Sequence, residues 1–232
     1  MSWVVGIDGC PRGWFAAGQA SPGGPVKFAI LSGLAQLDDF FPGWKMAGID
    51  MPIGLGDDAR RRADIEARTF VGPRAPSVFP ALIRPVLSCR TYSEGCNLSL
   101  LLAGFKFSKQ VWMLKERIIE VDQFLDDSKM REQVYEVHPE VSFAVMNFGV
   151  MPYKKKSPEG QAHRELLLAQ HFPGAYESAR DVFMVSHAAN DDILDSLAAL
   201  WSAWRILEGR ARFFPEEPIR YDSAGRRMVI AA

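Results

Sequence analysis

The stretches Gly6-Ile7-Asp8 and Gly48-Ile49-Asp50 carry the same three letters, and each closes an apolar run that predicts a buried β-strand. Neighbouring strands lie about 4.8 Å apart, so two parallel strands would present Asp8 and Asp50 at the same edge of a sheet. Carboxylates at such a separation can hold divalent cations. A metal-dependent active site at this edge is therefore the leading hypothesis.

The composition is that of an ordinary globular protein. The 232 residues are 48% hydrophobic and 24% charged, enough for one large domain with a sizeable core. A formal net charge of -1 gives no general indication of nucleic-acid or membrane binding, so any polyanion site must be local. Every apolar run ends well before the roughly 18 residues of a membrane span, and we expect no membrane association.

The cysteines favour a reducing compartment. Cys10, Cys89 and Cys96 are an odd count without a C-x-x-C pair, and no secretory signal is expected before Trp3. These features predict a cytoplasmic location. The oligomeric state is left open, and a homo-oligomer is compatible with the sequence.

Apolar patterning and turn signals outline the order of the elements. Runs at 3–7, 13–18 and 26–31 predict a three-stranded antiparallel meander, and 46–49 predicts a strand that returns parallel to the first. Helices are expected over 34–41, 57–70, 109–125, 158–171 and 191–208, a strand with one polar face over 134–139, and a closing hairpin over 213–230. The Pro-rich segment 71–95 has no period and is interpreted as a lid or a flap that faces substrate.

The last predicted helix carries the second group of acids. At about 100° per residue, Asp192 and Asp195 share a face with Ala199 and Ser202, whose small side chains permit close approach to the sheet. Acids in a first helical turn are also favoured by the helix dipole, which is a sufficient explanation for Asp191. A buried Asp195 requires a metal ion or a basic partner, because an unpaired buried carboxylate is costly.

The residue types at this predicted site favour Mg²⁺ or Mn²⁺. Both ions take carboxylate and water oxygens, and a pair of them about 3.5 to 4 Å apart can activate water for attack on a phosphate. Zinc is disfavoured because the cysteines are unclustered and no His-x-x-x-His pattern occurs. After the strand at 134–139, His138 is a candidate proton shuttle and Glu136 a candidate further ligand; the alternative is a hydrogen-bonded strand end.

Basic residues have two interpretations as well. The arginines of the helix over 57–70 form either a solvated face with i,i+4 ion pairs or a surface that contacts phosphates. The run 154–156 is either a solvated cluster or the basic element that a phosphodiester substrate needs beside an acidic metal site.

Several motifs, spread over nearly the whole chain and in the same order, resemble the family catalogued as domain of unknown function 429. They are Gly6-Ile7-Asp8-Gly9 with Gly13-Trp14, Asp50-Met51-Pro52-Ile53-Gly54-Leu55, Arg62-Ala63-Asp64 with Ala67-Arg68, Pro76-Ser77-Val78-Phe79-Pro80, Ser108-Lys109-Gln110, Glu136-Val137-His138-Pro139-Glu140, Lys155-Lys156-Ser157 and Asp191-Asp192-Ile193-Leu194-Asp195. Members of this family are described as predicted nucleases with a ribonuclease H-like fold.

The resemblance implies an α/β fold, with a ribonuclease H-like mixed five-stranded sheet flanked by helices. The first and fourth strands would be adjacent and parallel, in one domain over 1–232 with a largely helical insertion at about 56–132. By likeness to RuvC-type resolvases, Asp8 would be the first-strand acid and Asp50 would stand where those enzymes carry glutamate. Asp192 and Asp195 would match their terminal Asp-x-x-Asp helix.

The expected function is a phosphodiester hydrolase, a nuclease, that acts on a nucleic acid or nucleotide with Mg²⁺ or Mn²⁺ as cofactor. The predicted site comprises catalytic Asp8, Asp50, Asp192, Asp195 and His138, metal ligands Asp8, Asp50, Glu136, Asp192 and Asp195, and substrate-binding Arg60, Arg74, Arg84, Lys109 and Lys155. One alternative is a binding or scaffold protein that keeps the fold without catalysis. The other is an actin-like nucleotide phosphotransfer relative, against which stand the short chain and the absence of a P-loop motif.

Overall fold

The computed structural model describes residues 2–232, except for the side chain of Ser128. Its centre is a five-stranded sheet in the order β3-β2-β1-β4-β5. The strands are β1 (Val4–Cys10), β2 (Gly13–Gln19), β3 (Val26–Leu31), β4 (Met46–Ile49) and β5 (Val134–Glu136). The first three form the predicted antiparallel meander, and β4 runs parallel to both β1 and β5. The prediction of an α/β fold with a mixed five-stranded sheet is confirmed.

Ten helices surround the sheet in the described residues. They are α1 (Leu37–Phe40), α2 (Arg62–Val71), α3 (Tyr92–Ala103), α4 (Lys109–Met113), α5 (Lys115–Phe124), α6 (Ser128–Gln133), α7 (Pro139–Met146), α8 (Pro158–Ala169), α9 (Ala175–Val182) and α10 (Asn190–Leu207). Two short strands, β6 (Phe213–Phe214) and β7 (Ile230–Ala231), pair antiparallel, as the predicted closing hairpin requires. The predicted helices over 158–171 and 191–208 correspond to α8 and α10.

Several predicted boundaries were wrong. The helix expected over 57–70 begins only at Arg62, and the helix expected over 109–125 is interrupted at Leu114, whose N–H donates to the Val111 carbonyl three residues back. The segment 71–95 contains two 3₁₀ turns and the start of α3, whose first turn is capped by the Thr91 hydroxyl. The strand expected over 134–139 ends at 136, because Pro139 opens α7.

The longest helix, α10, lies with its backbone directly on the sheet. A Cβ atom on Gly6 would stand 2.0 Å from the Leu200 nitrogen, and one on Gly48 would stand 2.7 Å from the Ala199 oxygen. Both distances are shorter than any real contact, so only glycine fits at these two positions. The glycines of the repeated Gly-Ile-Asp stretch therefore allow the helix to reach β1 and β4.

The other residues of the repeat follow from the alternation of a strand. Ile7 and Ile49 point to the opposite face and pack into the core with residues of the segment between β4 and β5, among them Val86 and Ile118. The sheet is thus covered on both faces, as the continuously apolar β1 predicts. In the part of the chain that the structure describes, no helix combines the length and the apolar character needed to cross a membrane.

Candidate functional site

Three of the predicted aspartates meet at the ends of β1 and β4. Ile7 pairs with Ile49 in the parallel ladder, and the Asp50 N–H donates to the Ile7 carbonyl at 2.9 Å, so Asp8 and Asp50 leave the sheet at the same level. Asp195, one and a half turns into α10, joins them from above the sheet. All three line one cavity of about 520 Å³. Their convergence follows from the strand register and the close seat of α10.

Negative charge accumulates in this cavity. Burial raises the pKa of Asp8 well above its ordinary value, and the carboxylates of Asp50 and Asp195 raise it further. Burial, followed by the charge of Asp195, raises the pKa of Asp50 to about 8. Neither Asp8 nor Asp50 forms a salt bridge with any residue of the described chain. The cluster therefore lacks the positive charge that would keep all three groups ionised.

Lys155 is the cation that reaches the cluster. Its Nζ donates to Asp195 Oδ2 and stands 3.7 Å from Asp191. Although burial lowers the pKa of Lys155, the charges of Asp195 and Asp8 outweigh that effect and hold the pKa above its ordinary value. The second oxygen of Asp195, Oδ1, is buried without a hydrogen-bond partner in the described structure. The single ammonium group of Lys155 therefore neutralises only part of the negative charge of these carboxylates.

Asp192 has a different position. Its Oδ2 accepts a hydrogen bond from the Ala189 N–H at 2.8 Å and caps the first turn of α10. The cavity lining includes Asp195 but not Asp192, which acts on Asp8 through its charge alone. Of the predicted Asp-x-x-Asp pair, the structure brings the second member to the cluster.

Glu136 lines the cavity but is held by Arg61. Arg61 donates to both Glu136 oxygens, at 2.6 and 2.9 Å, and also binds Asp64. The Ile53 N–H donates to Glu136 at 2.6 Å, and Arg61 donates to the Ile53 and Gly54 carbonyls. The network fixes the turn that follows Asp50. The sequence pattern predicted that Arg61, like the other arginines over 57–70, would lie on the surface. In the structure Arg61 is only 4% exposed.

His138 also lines the cavity. Its Nδ1 accepts a hydrogen bond from the Glu140 N–H at 3.2 Å and caps α7. Burial, and then the positive charge of Lys155, lower its pKa to about 4, so the imidazole is neutral at pH 7. The ring is hydrogen-bonded just after β5, as the alternative interpretation expects, and it borders the cluster of acids; its role in proton transfer stays a prediction.

Of the five basic residues predicted to bind substrate, the structure brings Lys155 to the cavity. Arg84 pairs with Asp122 and Asp222, and Arg74 donates to the Met151 carbonyl at 2.9 Å. The two others lie on the exposed surface outside the lining: the Arg60 guanidinium stacks on the Phe105 ring at 4.6 Å, and Lys109 begins α4.

Arg117 was not foreseen as a site residue. It lines the cavity, donates to the Cys10 carbonyl at 2.6 Å and lies over the Trp14 ring at 5.2 Å. Gly9 makes room for it, because a Cβ on Gly9 would stand 1.9 Å from Arg117 Nη1. The only signal in the sequence was the glycine directly after Asp8, whose partner lies more than 100 residues away.

The arrangement falls short of a ready-made metal cage. Within residues 2–232, no three His, Cys, Asp or Glu side chains are placed to hold one ion together. Lys155 already forms an ion pair with Asp195, one of the carboxylates that a metal ion would need. The donor set nevertheless suits a hard cation, since it offers carboxylate oxygens and one buried oxygen, Asp195 Oδ1, that has no partner.

Comparison with known proteins gives one match. No curated protein and no solved structure matches the chain. The family described as "protein of unknown function (DUF429)" matches residues 6–220, which include most of β1, the other four strands of the central sheet and the whole of α10. The chain therefore belongs to the DUF429 family.

Proposed function

We propose that the protein is a phosphodiester hydrolase of ribonuclease H-like fold that uses Mg²⁺ or Mn²⁺ and acts on a nucleic acid or nucleotide. The observation that carries the proposal is the convergence of Asp8, Asp50 and Asp195 at one end of a mixed sheet. The strand order supports the fold assignment, because Asp8 and Asp50 stand at the ends of adjacent parallel strands and Asp195 lies on the final helix, as the family resemblance implies.

The electrostatics of the cluster support a cation. Burial raises the pKa of all three aspartates. The charge of Asp195 adds to this effect for Asp8 and Asp50, and the charge of Asp191 adds to it for Asp195, although Lys155 opposes it. A bound divalent cation would favour the ionised forms and would satisfy Asp195 Oδ1. Asp8, Asp50 and Asp195 are the residues that would hold it, and Lys155 must first release Asp195.

The chain's own residues have separable tasks in such a reaction. When bound, the metal supplies an activated water and offsets negative charge on the phosphate. Lys155, once displaced from Asp195, is the cation placed to contact a phosphate oxygen, and Arg117 is a second one on the same cavity wall. His138 is neutral at pH 7 and its Nδ1 accepts the Glu140 N–H, so the ring proton is on Nε2, which is the atom that can donate.

The scaffold alternative has its own supporting observation. The ion pair between Lys155 and Asp195 gives the cluster an internal counter-ion, which a protein without a metal would need. The two proposals differ in what divalent cations do to stability. A cation that binds only the folded state at a hundred times its dissociation constant stabilises it by about 2.7 kcal/mol.

The test is thermal unfolding with and without saturating Mg²⁺ or Mn²⁺, followed by hydrolysis of a chromogenic phosphodiester and of single- and double-stranded nucleic acids. We expect the wild type to melt higher with metal and to hydrolyse at least one substrate. Asp8→Asn and Asp195→Asn should lose both effects, whereas Asp39→Asn, an exposed aspartate of α1, should retain them. An unchanged wild-type melting temperature would favour the scaffold.

A further inference from the structure

A second and larger cavity lies at the other end of α10. Its volume is about 710 Å³, and Trp201 and Trp204 contribute to its wall. Trp204 stands nine residues after Asp195, which is about 14 Å along a helix that rises about 1.5 Å per residue. The turn between β2 and β3 and the C-terminal end of α7 close other sides. The cavity is separate from the aspartate cluster, and its size falls in the usual range of ligand pockets.

The wall of this cavity contains five phenylalanine and tryptophan rings. The rings belong to Phe70, Phe148, Phe172, Trp201 and Trp204. Such surfaces bind flat ligands well, because a base or another planar ring stacks on them at little conformational cost. The wall therefore favours a planar aromatic group over an aliphatic one.

Phe148 is the most unusual of these residues. It follows α7 with a φ of 52°, a left-handed conformation that usually belongs to glycine at a helix C-terminus. The turn is held by the Gly149 N–H, which donates to the Ala144 carbonyl at 2.9 Å. The Phe148 side chain is nonetheless 100% exposed, so no side-chain packing within the fold compensates for the conformation. An aromatic ring kept in solvent on a strained backbone is typical of a contact site.

Positive charge lines the same cavity. Its wall carries Arg205, Arg210 and Arg212 against the single acid Glu208, in a chain whose net charge is -1. Arg210 pairs with Glu208 and Arg212 with Glu216, while Arg205 has no carboxylate within salt-bridge distance in the described chain. The Arg205 guanidinium lies over the Trp201 ring at 4.6 Å and donates to the Arg210 carbonyl at 2.6 Å. The Arg205 guanidinium is therefore held in one orientation, and no carboxylate neutralises its charge.

The pKa of His171, which lies on the same wall, is affected by this positive charge. Burial lowers its pKa, and the positive charges of Arg205 and Arg210 lower it further. The cavity thus presents a positive local field to its contents, which suits an anion. Arginine is the side chain best shaped for a phosphate, since its planar fork donates two hydrogen bonds in parallel.

We propose that this cavity binds a nucleotide unit, with the base stacked among Phe148, Trp201 and Trp204 and the phosphate on Arg205 and Arg210. Rings alone would suit any apolar ligand, and arginines alone any anion, but the two together select a planar ring that carries a phosphate. The unit can come from a free mononucleotide or from a nucleic-acid strand. The site needs no metal and none of the aspartates, so it does not depend on the proposed hydrolase activity.

The experiment is titration calorimetry in the presence of a chelator, on the wild type and on Asp8→Asn, with a nucleoside 5′-monophosphate, a short single-stranded oligonucleotide and inorganic phosphate as separate ligands. We expect a nucleotide ligand to bind both proteins equally and inorganic phosphate to bind far more weakly. Binding of the monophosphate identifies a free nucleotide, and binding of the oligonucleotide alone identifies a strand. A loss of binding in Asp8→Asn would place the ligand at the aspartate cluster and overturn the proposal.

Two variants test the wall itself. Arg205→Gln should weaken binding about tenfold or more, as loss of a charge-assisted hydrogen bond does. Phe148→Gly removes only an exposed side chain and relieves its backbone, so the variant stays folded and should weaken binding at least about fivefold. The matched controls, Arg90→Gln and Leu101→Ala, change exposed residues outside the cavity and should bind as the wild type does. Equal binding by Phe148→Gly, or no nucleotide binding by the wild type, would overturn the proposal.

Discussion

Replacing Asp50 by asparagine should stabilise the metal-free protein at neutral pH. In the folded chain the pKa of Asp50 is about 8, against an ordinary value of 3.8, because of burial and then the charge of Asp195. Lys155 opposes this effect, whereas Glu136 adds to it. Asparagine fills nearly the same space without a charge, so it removes the cost of keeping this group in a crowded acidic cavity.

Whether stability rises or falls with pH depends on whether the folded or the unfolded chain releases the Asp50 proton at the lower pH. The unfolded chain releases the Asp50 proton near pH 4 and the folded chain only near pH 8, so stability falls as the pH rises through this window. At pH 7 about three pKa units separate the pH from the unfolded value, and at about 1.4 kcal/mol each the ceiling is about 4 kcal/mol. Because the charge of Asp50 also raises the pKa of Asp8, the two carboxyls titrate together, and we expect about 1 to 2 kcal/mol.

Urea unfolding between pH 5 and pH 8, in the presence of a chelator, measures this effect. The wild type should lose stability over that range, and Asp50→Asn should lose distinctly less and exceed the wild type at pH 7. Asp39→Asn, an exposed aspartate, is the matched control and should follow the wild type. A variant that is no more stable than the wild type at pH 7, with the same slope, would refute the assignment of a raised pKa to Asp50.

Three further substitutions test a backbone contact, a buried ion pair and a strained turn. Gly6→Ala should cost about 3 kcal/mol or more in urea unfolding, because its Cβ would meet the Leu200 nitrogen at 2.0 Å; a loss below about 1 kcal/mol would contradict the backbone contact. Arg164→Met leaves Glu140, its partner at 2.7 Å, buried and unpaired, and should cost about 3 to 5 kcal/mol, with much of that recovered in the double variant that adds Glu140→Gln. Phe148→Gly should raise stability by about 0.5 to 1 kcal/mol in the same unfolding assay, and a loss would contradict the strained turn.

The parts of the fold that were predictable rest on local pattern. The continuous apolar run before Asp8, the reversal before Val26 and the amphipathic period of α10 each lie within one element, and all three were placed correctly. By contrast, α7 was not predicted. Nearly all of its residues are buried, so it has no polar face from which a period could be recognised.

The contacts of the site were less predictable than its acids. Arg61 lies between two surface arginines, and the partner that draws it into the cavity wall, Glu136, is 75 residues away. Lys155 was expected to meet substrate, but its pairing with Asp195 depends on how the loop before α8 folds over the cavity. Sequence pattern indicates which residues share a face, whereas the pairing of distant charges is decided by tertiary packing.

The seat of α10 on Gly6 and Gly48 has a consequence for how this protein can vary. Because the helix touches the two strands through main-chain atoms, the spacing of the carboxylates is set by the polypeptide itself and not by the bulk of any core residue. Substitution of an apolar core residue should therefore shift Asp195 relative to Asp8 less than substitution of either glycine would. The two glycines set the distance between the helix and the strands that carry Asp8 and Asp50.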